Sequence, residues 1–503
     1  MMKKILFCIV LSIVGLTAMA QSKFGERPKL VVGIVVDQMR WDYLSRYYDK
    51  FSNDGFRRLI DRGFSCDNCL INYFPTITAI GHASVYTGTT PAFHGICGNN
   101  FYLNDSTKVY CCRDDSVQPV GSTNDKGRMS PRNLLATTIG DQLRLHTDFV
   151  SKVIGVSYKD RAAILPAGRS ATAAYWLDLE NMQFITSTYY MDELPKWAKD
   201  YNVVLSRNRE AREAGEDIGL SPLCGTVTTD MAIAALKGER LGKNDRTDML
   251  CVSYSQTDVI GHKWGTRGSH TDDAYLKLDH DLSRLFRALD SQVGDGNYVV
   301  FLTADHGAAH NWAYMQDHKL GGGKASCADI CEHAEAAVAA ELHATEPVIA
   351  DIIDYRIYLD HRSIARQGLD VQRVTDIIVK SVQNEEYVTF AAPFADMRTV
   401  AVPPLISERA LMGYYPVRSG DILFVPMPGY YDFNKWSSAT GTTHGEWNPY
   451  DSHIPCLFYG WHVPHGATSR EVHINDIAPT ICQLLHIQQP NACSGQAIVE
   501  ITH

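Results

Sequence analysis

Three runs of mostly apolar residues predict buried strands. They cover residues 30–37 (LVVGIVVD), 249–255 (MLCVSYS) and 298–303 (YVVFLT), and they lack the alternation typical of a half-exposed strand. Apolar residues at helical spacing follow in 42–63 and again in 268–292. Strands that alternate with helices predict an α/β fold, in which helices cover both faces of a mainly parallel sheet.

Two long segments fit this alternation less well. Residues of about 100–245 include a hairpin-like stretch at 174–187, and residues of about 315–440 include the strand-like RIYLD and a helical pattern at 369–383. We interpret both segments as insertions that cap the sheet of a single domain.

Each of the three predicted strands ends in, or is followed by, acidic residues or histidines: Asp37, then Asp258 and His262, then Asp305 and His306. The carboxyl ends of parallel strands meet at one edge of a sheet, where ligands bind. One aspartate at a strand end is commonly a helix cap, but capping does not explain three strands that end this way. Imidazole and carboxylate ligands together suit zinc better than manganese or iron.

The segment 74–99 adds a candidate nucleophile. Thr76 and Thr78 precede a stretch that could begin a helix, where a threonine is usually a cap but where anions also bind. A hydroxyl next to a metal ion is a competent nucleophile because its pKa is lowered. His444, in a loop rich in glycine and threonine, is a further candidate ligand.

Residues 1–20 have the features of a secretory signal peptide. Lys3 and Lys4 precede a short apolar run that ends in Ala18-Met19-Ala20, so we expect cleavage after Ala20 and a periplasmic enzyme without a membrane span. The remaining twelve cysteines are an even number in an exported chain, which favours structural disulfides or buried thiols.

Composition excludes other classes of protein. A net charge of -10 argues against nucleic acid as a partner, because binding to a phosphate backbone requires a basic surface. The content of 45% hydrophobic and 21% charged residues is that of a globular protein. The sequence also has no C-x-P-x-R motif of a formylglycine-type sulfatase and no phosphate-binding loop of the Walker type.

Taken together, the motifs resemble those of the alkaline phosphatase superfamily, and in particular the phosphate-irrepressible, monoesterase-type alkaline phosphatases of Bacteroidetes-like bacteria. The motifs that carry the resemblance are VDQMR, PTITAIGH, HGICGNN, SYKDRAAILPAG, SYSQTDVIGH, LTADHG and TTHGEWNPYDSHIP. They span nearly all of residues 21–503, which the resemblance identifies as one catalytic domain with two insertions.

The resemblance implies two zinc ions and a set of ligands for each. One ion would be held by Asp258, His262 and His444, and the other by Asp37, Asp305, His306 and the oxygen of Thr78. His453 is the alternative to His444, which is preferred because the ligand of the family stands in a His-Gly pair. Thr76 is the alternative to Thr78, which is preferred because the asparagine of the family stands 21 positions after the nucleophile, as Asn99 does after Thr78.

The resemblance also implies a reaction. Thr78 would form a phosphothreonine, while Asn99, Lys159 and Arg161 would bind the phosphoryl oxygens. Cations in addition to the metal ions favour phosphate monoesters, which carry one more negative charge than diesters. The expected activity is therefore release of phosphate from diverse organic monoesters, and the alternative is a nucleotide pyrophosphatase/phosphodiesterase of the same superfamily.

Overall fold

The computed structural model describes residues 26–103, 107–433 and 439–502. The predicted signal peptide, residues 1–20, lies outside these ranges. Among the described residues, no helix has both the length and the apolar character needed to cross a membrane.

A ten-stranded sheet forms the centre of the fold. Its strands are β1 (Leu30–Val36), β2 (Phe64–Cys66), β3 (Pro119–Val120), β4 (Val153–Ser157), β5 (Ala173–Asp178), β6 (Gln183–Ser187), β7 (Asp248–Tyr254), β8 (Tyr298–Thr303), β9 (Cys456–Gly460) and β10 (Gly466–Thr468). Their order is β10-β2-β9-β8-β1-β7-β4-β5-β6-β3. The central strands β8, β1, β7, β4 and β5 are parallel, and β1 is buried along its whole length.

Helices cover both faces of this sheet, which confirms the predicted α/β class. Ser253 hydrogen-bonds to a histidine of helix Thr78–Thr87, whereas the next residue, Tyr254, points to the opposite face and hydrogen-bonds to a threonine of helix Leu223–Gly238. The other α-helices of four or more residues are Asp42–Arg46, Phe56–Arg62, Pro91–His94, Ile139–His146, Asp160–Ala167, Lys196–Ser206, Arg209–Ala214, Gln256–Trp264, Ser269–Gln292, Trp312–Asp317, Cys327–Leu342, His361–Arg366, Val371–Gln383, Pro404–Met412, Pro449–Ser452, Ile477–Leu484 and Val499–Thr502.

The predicted strands β1, β7 and β8 form within one residue of their predicted bounds, but the helix predicted over 42–63 is interrupted. The chain forms two short α-helices separated by a 3-10 turn and an extended residue, Phe51. Asp279, on a distant helix, accepts hydrogen bonds from the backbone N–H groups of Ser52 (2.8 Å) and Phe56 (2.7 Å). This tertiary contact satisfies donors at the start of the second helix and overrides the local periodicity.

The segment of about 100–245 was expected to cap the sheet, and that expectation was wrong for part of it. The segment contributes β3, β4, β5 and β6 to the central sheet, and the hairpin predicted at 174–187 is β5 with β6. The sequence VIGVS of β4 contains a glycine and a serine, which weaken the apolar signal although every residue of the strand is buried. Lys159, one of the predicted site residues, stands two positions after the end of this strand.

The segment of about 315–440 contains a second, antiparallel sheet, which we call the cap sheet. Its strands lie in the order Ile349–Ile353, Arg356–Leu359, Ile422–Pro426, Val388–Pro393. Apolar side chains of this sheet and of helices Cys327–Leu342 and Val371–Gln383 form a core separate from that of the central sheet.

Small sheets complete the described structure. Asn100–Leu103 pairs with Thr107–Tyr110, Gly323–Ala325 with Tyr430–Asp432, and Cys69–Leu70 with both His453–Ile454 and Val472–His473. All twelve cysteines after the predicted signal peptide lie in the described ranges, where they are free thiols, nine of them buried. The nine buried thiols agree with the second of the two options predicted for the cysteines, and the other three are half-buried.

Candidate active site

The carboxyl ends of four central strands bring the predicted site residues to one edge of the sheet. The turns and helices that follow these strands carry Asp37 after β1, Lys159 and Arg161 after β4, Asp258 and His262 after β7, and Asp305 and His306 after β8. The parallel register of the strands thus joins residues that are far apart in the chain.

One group of possible metal ligands consists of Asp258, His262 and His444. Helix Gln256–Trp264 places Asp258 and His262 one turn apart, and Asp258 Oδ1 lies 3.0 Å from His262 Nε2 and 3.6 Å from His444 Nε2. The ligand atoms of all three residues lie within 4.8 Å of one another. A distance this short suits a single ion bound between them.

A second group lies next to the first. Asp37, Asp258 and His306 have ligand atoms within 4.8 Å of one another, and His306 Nε2 is 3.5 Å from both Asp37 Oδ1 and Asp305 Oδ2. Asp305 is oriented by the backbone N–H groups of Gln38 and His306, which both donate to its Oδ1. Asp258 belongs to both groups, so the two candidate metal positions are adjacent.

The hydrogen bonds of the three histidines determine which ring nitrogen is available to a metal. The Nδ1 atom of each histidine, His262, His306 and His444, contacts a backbone carbonyl oxygen. A carbonyl only accepts hydrogen bonds, so each Nδ1 must carry the proton. The acceptors are Thr442 (2.9 Å), Gly307 (2.9 Å) and Thr76 (2.7 Å). In the neutral rings Nε2 is therefore the free ligand atom, in the arrangement common for metal-binding histidines.

The burial and charge of the site also fit bound cations. Asp37 Oδ1 and Asp305 Oδ2 are buried and have no hydrogen-bond partner among the described residues. Burial raises the pKa of Asp37 well above its usual value, and the carboxylates of Asp258 and Asp305 add to this effect. Burial and the neighbouring His306 lower the pKa of His444, which favours the neutral form that binds metals.

Thr78 and Thr76 have different environments. Thr78 is the first residue of its helix, and its Oγ1 lies 3.4 Å from His306 Nε2. Thr76 instead donates a hydrogen bond to the carbonyl of Glu446 (2.8 Å) and accepts one from the backbone of Gly445 (3.2 Å). The hydroxyl of Thr76 is therefore used to hold a loop, whereas that of Thr78 faces the second group of ligands.

His444 and His453 also separate clearly. The ring of His444 stacks on that of His306, with centroids 3.5 Å apart. His453 stacks on Trp41 instead, and its Nε2 contacts the carbonyl of Asp67. His444 is thus the one of the two that lies among the candidate ligands.

The side chains predicted to bind phosphoryl oxygens lie around this centre. Lys159 Nζ is 2.7 Å from Asp37 Oδ2 and 2.6 Å from Asp258 Oδ2, and so contacts a residue of each ligand group. Asn99 Oδ1 accepts the backbone N–H of Ala79 at 3.2 Å, which fixes its amide beside the helix start that bears Thr78.

Arg161 is held by a residue that the sequence analysis did not identify. Its Nη1 donates to the hydroxyl of Tyr110 at 3.1 Å, and Tyr110 donates in turn to Asp160. The Nε of Arg161 is buried without a hydrogen-bond partner among the described residues. A guanidinium oriented in this way has donor capacity left for an anion.

Gln38 is a second residue that the sequence analysis missed. Besides its backbone N–H to Asp305, its side-chain amide donates to Asp258 Oδ1 at 2.7 Å, so one residue orients carboxylates of both ligand groups. It adopts a left-handed backbone, with φ of 61°, which is uncommon outside glycine. Its place directly after Asp37 in the VDQMR motif was the only signal available in the sequence.

Comparisons with known proteins find relatives over nearly the whole chain. The family model described as type I phosphodiesterase / nucleotide pyrophosphatase matches residues 31–449. Alkaline phosphatase PafA of Elizabethkingia meningoseptica is 41% identical over 98% of both chains. Alkaline phosphatase PhoV of Synechococcus elongatus is 39% identical over 94% of this chain and 93% of its own.

Solved structures show the same relationship. The crystal structure of wild-type PafA matches with a TM-score of 0.91 at 41% identity, over 95% of this chain and 99% of that one. Murine ectonucleotide pyrophosphatase/phosphodiesterase 5 matches with a TM-score of 0.55 at 15% identity, over 91% of this chain and 95% of that one. The second likeness is one of fold alone.

Proposed function

Because the chain belongs to the type I phosphodiesterase/nucleotide pyrophosphatase family of the alkaline phosphatase superfamily, we propose that this enzyme, an alkaline phosphatase, uses two zinc ions and the nucleophile Thr78. Its substrates are organic phosphate monoesters, from which it releases inorganic phosphate. The observation that carries the proposal is the pair of adjacent ligand groups beside the Thr78 hydroxyl.

The donor set fits two zinc ions. Asp258, His262 and His444 would hold one ion, and Asp37, Asp305, His306 and Thr78 the other. Three Nε2 atoms and the carboxylate oxygens of Asp37 and Asp305 that accept no hydrogen bond from the described residues are borderline and hard ligands of the type that zinc prefers. When bound, a zinc pair would lower the pKa of hydroxyl groups at the site and stabilise charge on the attacking and leaving oxygens.

The side chains divide the remaining work. Thr78 Oγ1 attacks phosphorus, the bond from phosphorus to the ester oxygen breaks, and the alcohol leaves while a phosphothreonine forms. Water then attacks the phosphothreonine, which regenerates Thr78 and releases phosphate. The amide of Asn99 and the guanidinium of Arg161 bind the equatorial oxygens of the phosphoryl group, where charge accumulates.

Lys159 and Arg161 are the basis for proposing monoesters over diesters. A monoester dianion has three terminal oxygens to bind, and two cationic side chains in addition to the metals stabilise its extra charge. A diester needs room for a second substituent at the position that these cations occupy. The family description includes phosphodiesterases, so diester hydrolysis is the competing outcome.

The experiment that tests the proposal compares three substrates with one chromophore: p-nitrophenyl phosphate, its bis-ester and p-nitrophenyl sulfate. Purified protein is assayed with zinc added and after chelation. We expect zinc-dependent turnover dominated by the monoester, and acid quenching during turnover should trap a phosphoryl group on the peptide that contains Thr78. A preference for the diester would reject the proposal that Lys159 and Arg161 select monoesters. An undiminished rate after complete removal of zinc would reject the metal assignment.

We also propose that the enzyme is exported to the periplasm, with residues 1–20 as the signal peptide. The lysines at positions 3 and 4, the short apolar run and the A-x-A-type site support this. Amino-terminal sequencing of protein from the periplasmic fraction should begin at Gln21. Recovery of uncleaved protein from the cytoplasm would contradict the proposal.

A further inference from the structure

His82 is a buried histidine that belongs to neither group of candidate metal ligands. It lies on helix Thr78–Thr87, one turn after the proposed nucleophile, and its side chain is fully buried. This helix packs closely against the turn that carries Asp305: a Cβ atom on Gly81 would lie 2.3 Å from the carbonyl oxygen of Asp305. The lack of a side chain at position 81 therefore allows the next residue, His82, to approach the second ligand group.

Both ring nitrogens of His82 have partners. Nδ1 lies 2.9 Å from the carbonyl oxygen of Thr78 and 3.3 Å from Asp305 Oδ2, and Nε2 lies 2.8 Å from the hydroxyl of Ser253. A carbonyl oxygen only accepts hydrogen bonds, so Nδ1 carries the proton. In the neutral ring Nε2 then accepts a hydrogen bond from the Ser253 hydroxyl. These contacts determine both the tautomer and the orientation of the ring.

The two oxygens of the Asp305 carboxylate are held in different ways. Oδ1 accepts the backbone N–H groups of Gln38 and His306, whereas Oδ2 accepts no hydrogen bond from the described residues. The Nδ1–H of His82 donates to the carbonyl of Thr78 and leaves Oδ2, at 3.3 Å, with an electropositive neighbour but a free lone pair. The position of the oxygen that remains for a metal ion therefore depends on the ring of His82.

Ser253 connects this ring to the centre of the main sheet. The parallel register places Ser253 of β7 beside Val35 of β1, which in turn lies beside Thr303 of β8. Asp305 follows Thr303 by two positions in the chain. The hydrogen bond from Ser253 thus fixes the ring of His82 relative to the buried strands from which the ligand carboxylates extend.

We propose that His82 is a positioning residue, which fixes Asp305 relative to the start of the helix that bears Thr78. One imidazole contacts the carbonyl of the proposed nucleophile and the free oxygen of a proposed metal ligand, so it couples the positions of the two. This inference rests on the proposed function, in which Thr78 and Asp305 belong to the same zinc site. It adds a residue that contacts neither zinc nor substrate and acts through the affinity of that site for the metal.

The test replaces His82 with each of the two amides. The amide nitrogen of asparagine lies near the place of Nδ1, and that of glutamine near the place of Nε2, so His82→Asn keeps a donor that His82→Gln lacks. The affinity for zinc is measured by competition with a chromophoric chelator, and the zinc content by mass spectrometry of metals. Loss of a residue that orients a metal ligand typically costs about 10–100-fold in affinity. We expect this loss for one of the two zinc ions in His82→Gln, and recovery of most of the affinity in His82→Asn.

The comparison of the two amides separates positioning from simple packing. A histidine that only fills space would give variants with lower melting temperatures and unchanged affinity for zinc, and this result would overturn the inference. Equal losses of affinity in His82→Asn and His82→Gln would also overturn it, because the donor at Nδ1 would then not be the cause. Melting temperatures are measured on the metal-free proteins, so that they report the fold apart from metal binding.

His94→Gln is the matched control. His94 is also fully buried, and its Nε2 lies 3.0 Å from the hydroxyl of Ser84, a residue of the helix that bears Thr78. Its Nδ1 accepts the backbone N–H of Ile96 at 3.1 Å, so it supports a loop and not a metal ligand. The control should lower the melting temperature and leave the affinity for zinc unchanged. An equal loss of affinity in His94→Gln and His82→Gln would overturn the inference, because general destabilisation of the helix would explain both.

Ser253→Ala covers the case that the His82 variants do not fold. This change removes only the hydroxyl that orients the ring, so we expect a loss of zinc affinity that is smaller than the loss expected for His82→Gln. Unchanged affinity in a folded Ser253→Ala variant would overturn the inference.

Wild-type protein separates this inference from the proposed function. If wild-type protein binds no zinc, or does not hydrolyse p-nitrophenyl phosphate, the proposed function itself fails. If wild-type protein binds two zinc ions and hydrolyses this ester, but His82→Gln has wild-type affinity for zinc, only the inference is rejected.

Discussion

Replacing Arg161 should convert the enzyme from one that strongly prefers monoesters into one with a much weaker preference. The guanidinium is oriented by Tyr110 at 3.1 Å, and its buried Nε has no partner among the described residues. We therefore expect it to contact the phosphoryl group directly. Arg161→Ala removes a favourable charge interaction with the substrate. A monoester, which has one more negative charge than a diester, should lose more binding energy from this change.

The size of the effect follows from Coulomb's law. Two unit charges about 4 Å apart interact with about 4 kcal/mol at an effective dielectric constant of about 20. Because about 1.4 kcal/mol corresponds to a factor of ten, the ratio of kcat/KM for monoester over diester should fall by up to about 1000-fold. Arg161→Lys keeps the charge but loses the planar fork, so it should retain part of the preference.

The assay measures kcat/KM for p-nitrophenyl phosphate and bis(p-nitrophenyl) phosphate with both variants and with Tyr110→Phe. Removing the Tyr110 hydroxyl leaves the guanidinium present but less well oriented, so we expect a loss in the same direction and smaller than that of Arg161→Ala. Equal losses for the two substrates in Arg161→Ala would refute the reasoning. A Tyr110→Phe variant with more severe loss than Arg161→Ala would show that Tyr110 acts in another way.

Three further predictions follow from the same structure. Thr78→Ala should abolish turnover and leave the zinc content near normal. Thr76→Ala should instead lower the melting temperature, because the Thr76 hydroxyl holds a loop through two hydrogen bonds. An inactive Thr76→Ala variant together with an active Thr78→Ala variant would reassign the nucleophile. His444→Ala should lose about one zinc per chain by mass spectrometry of metals, and loss of zinc in His453→Ala alone would reassign the ligand. Burial alone would raise the pKa of Asp114, but hydrogen bonds from two serines and an arginine outweigh it and hold this pKa at about 2. The ionised carboxylate stabilises the fold above the unfolded pKa of about 4, and this contribution should be lost as the pH falls towards 2. In Asp114→Asn the unfolding free energy should therefore depend less on pH between about 4 and 2.

Part of the candidate site was predictable because its signals are local. Asp37 and Asp305 follow continuous apolar strands, and the spacing of Asp258 and His262 is one helical turn. Such patterns depend only on residues close in the chain, and the structure keeps them almost unchanged. The position of the cap was harder to predict. No residue near Asp354 in the sequence indicates that its turn of the cap sheet reaches a cavity that His444 also lines.

The sequence by itself determined the class of the fold, the strands that carry the acidic residues and the chemistry of the donor set, because periodicity and residue type express these locally. The family resemblance already preferred Thr78 over Thr76 and His444 over His453, but only the tertiary structure shows the environment of each side chain. Only the tertiary structure also shows that β4 belongs to the central sheet. These outcomes depend on contacts between distant segments, such as that of His444 with the carbonyl of Thr76. The physical reason is that packing and hydrogen bonds across the sheet edge determine the environment of each side chain. Local periodicity carries no information about contacts between segments that are distant in the chain.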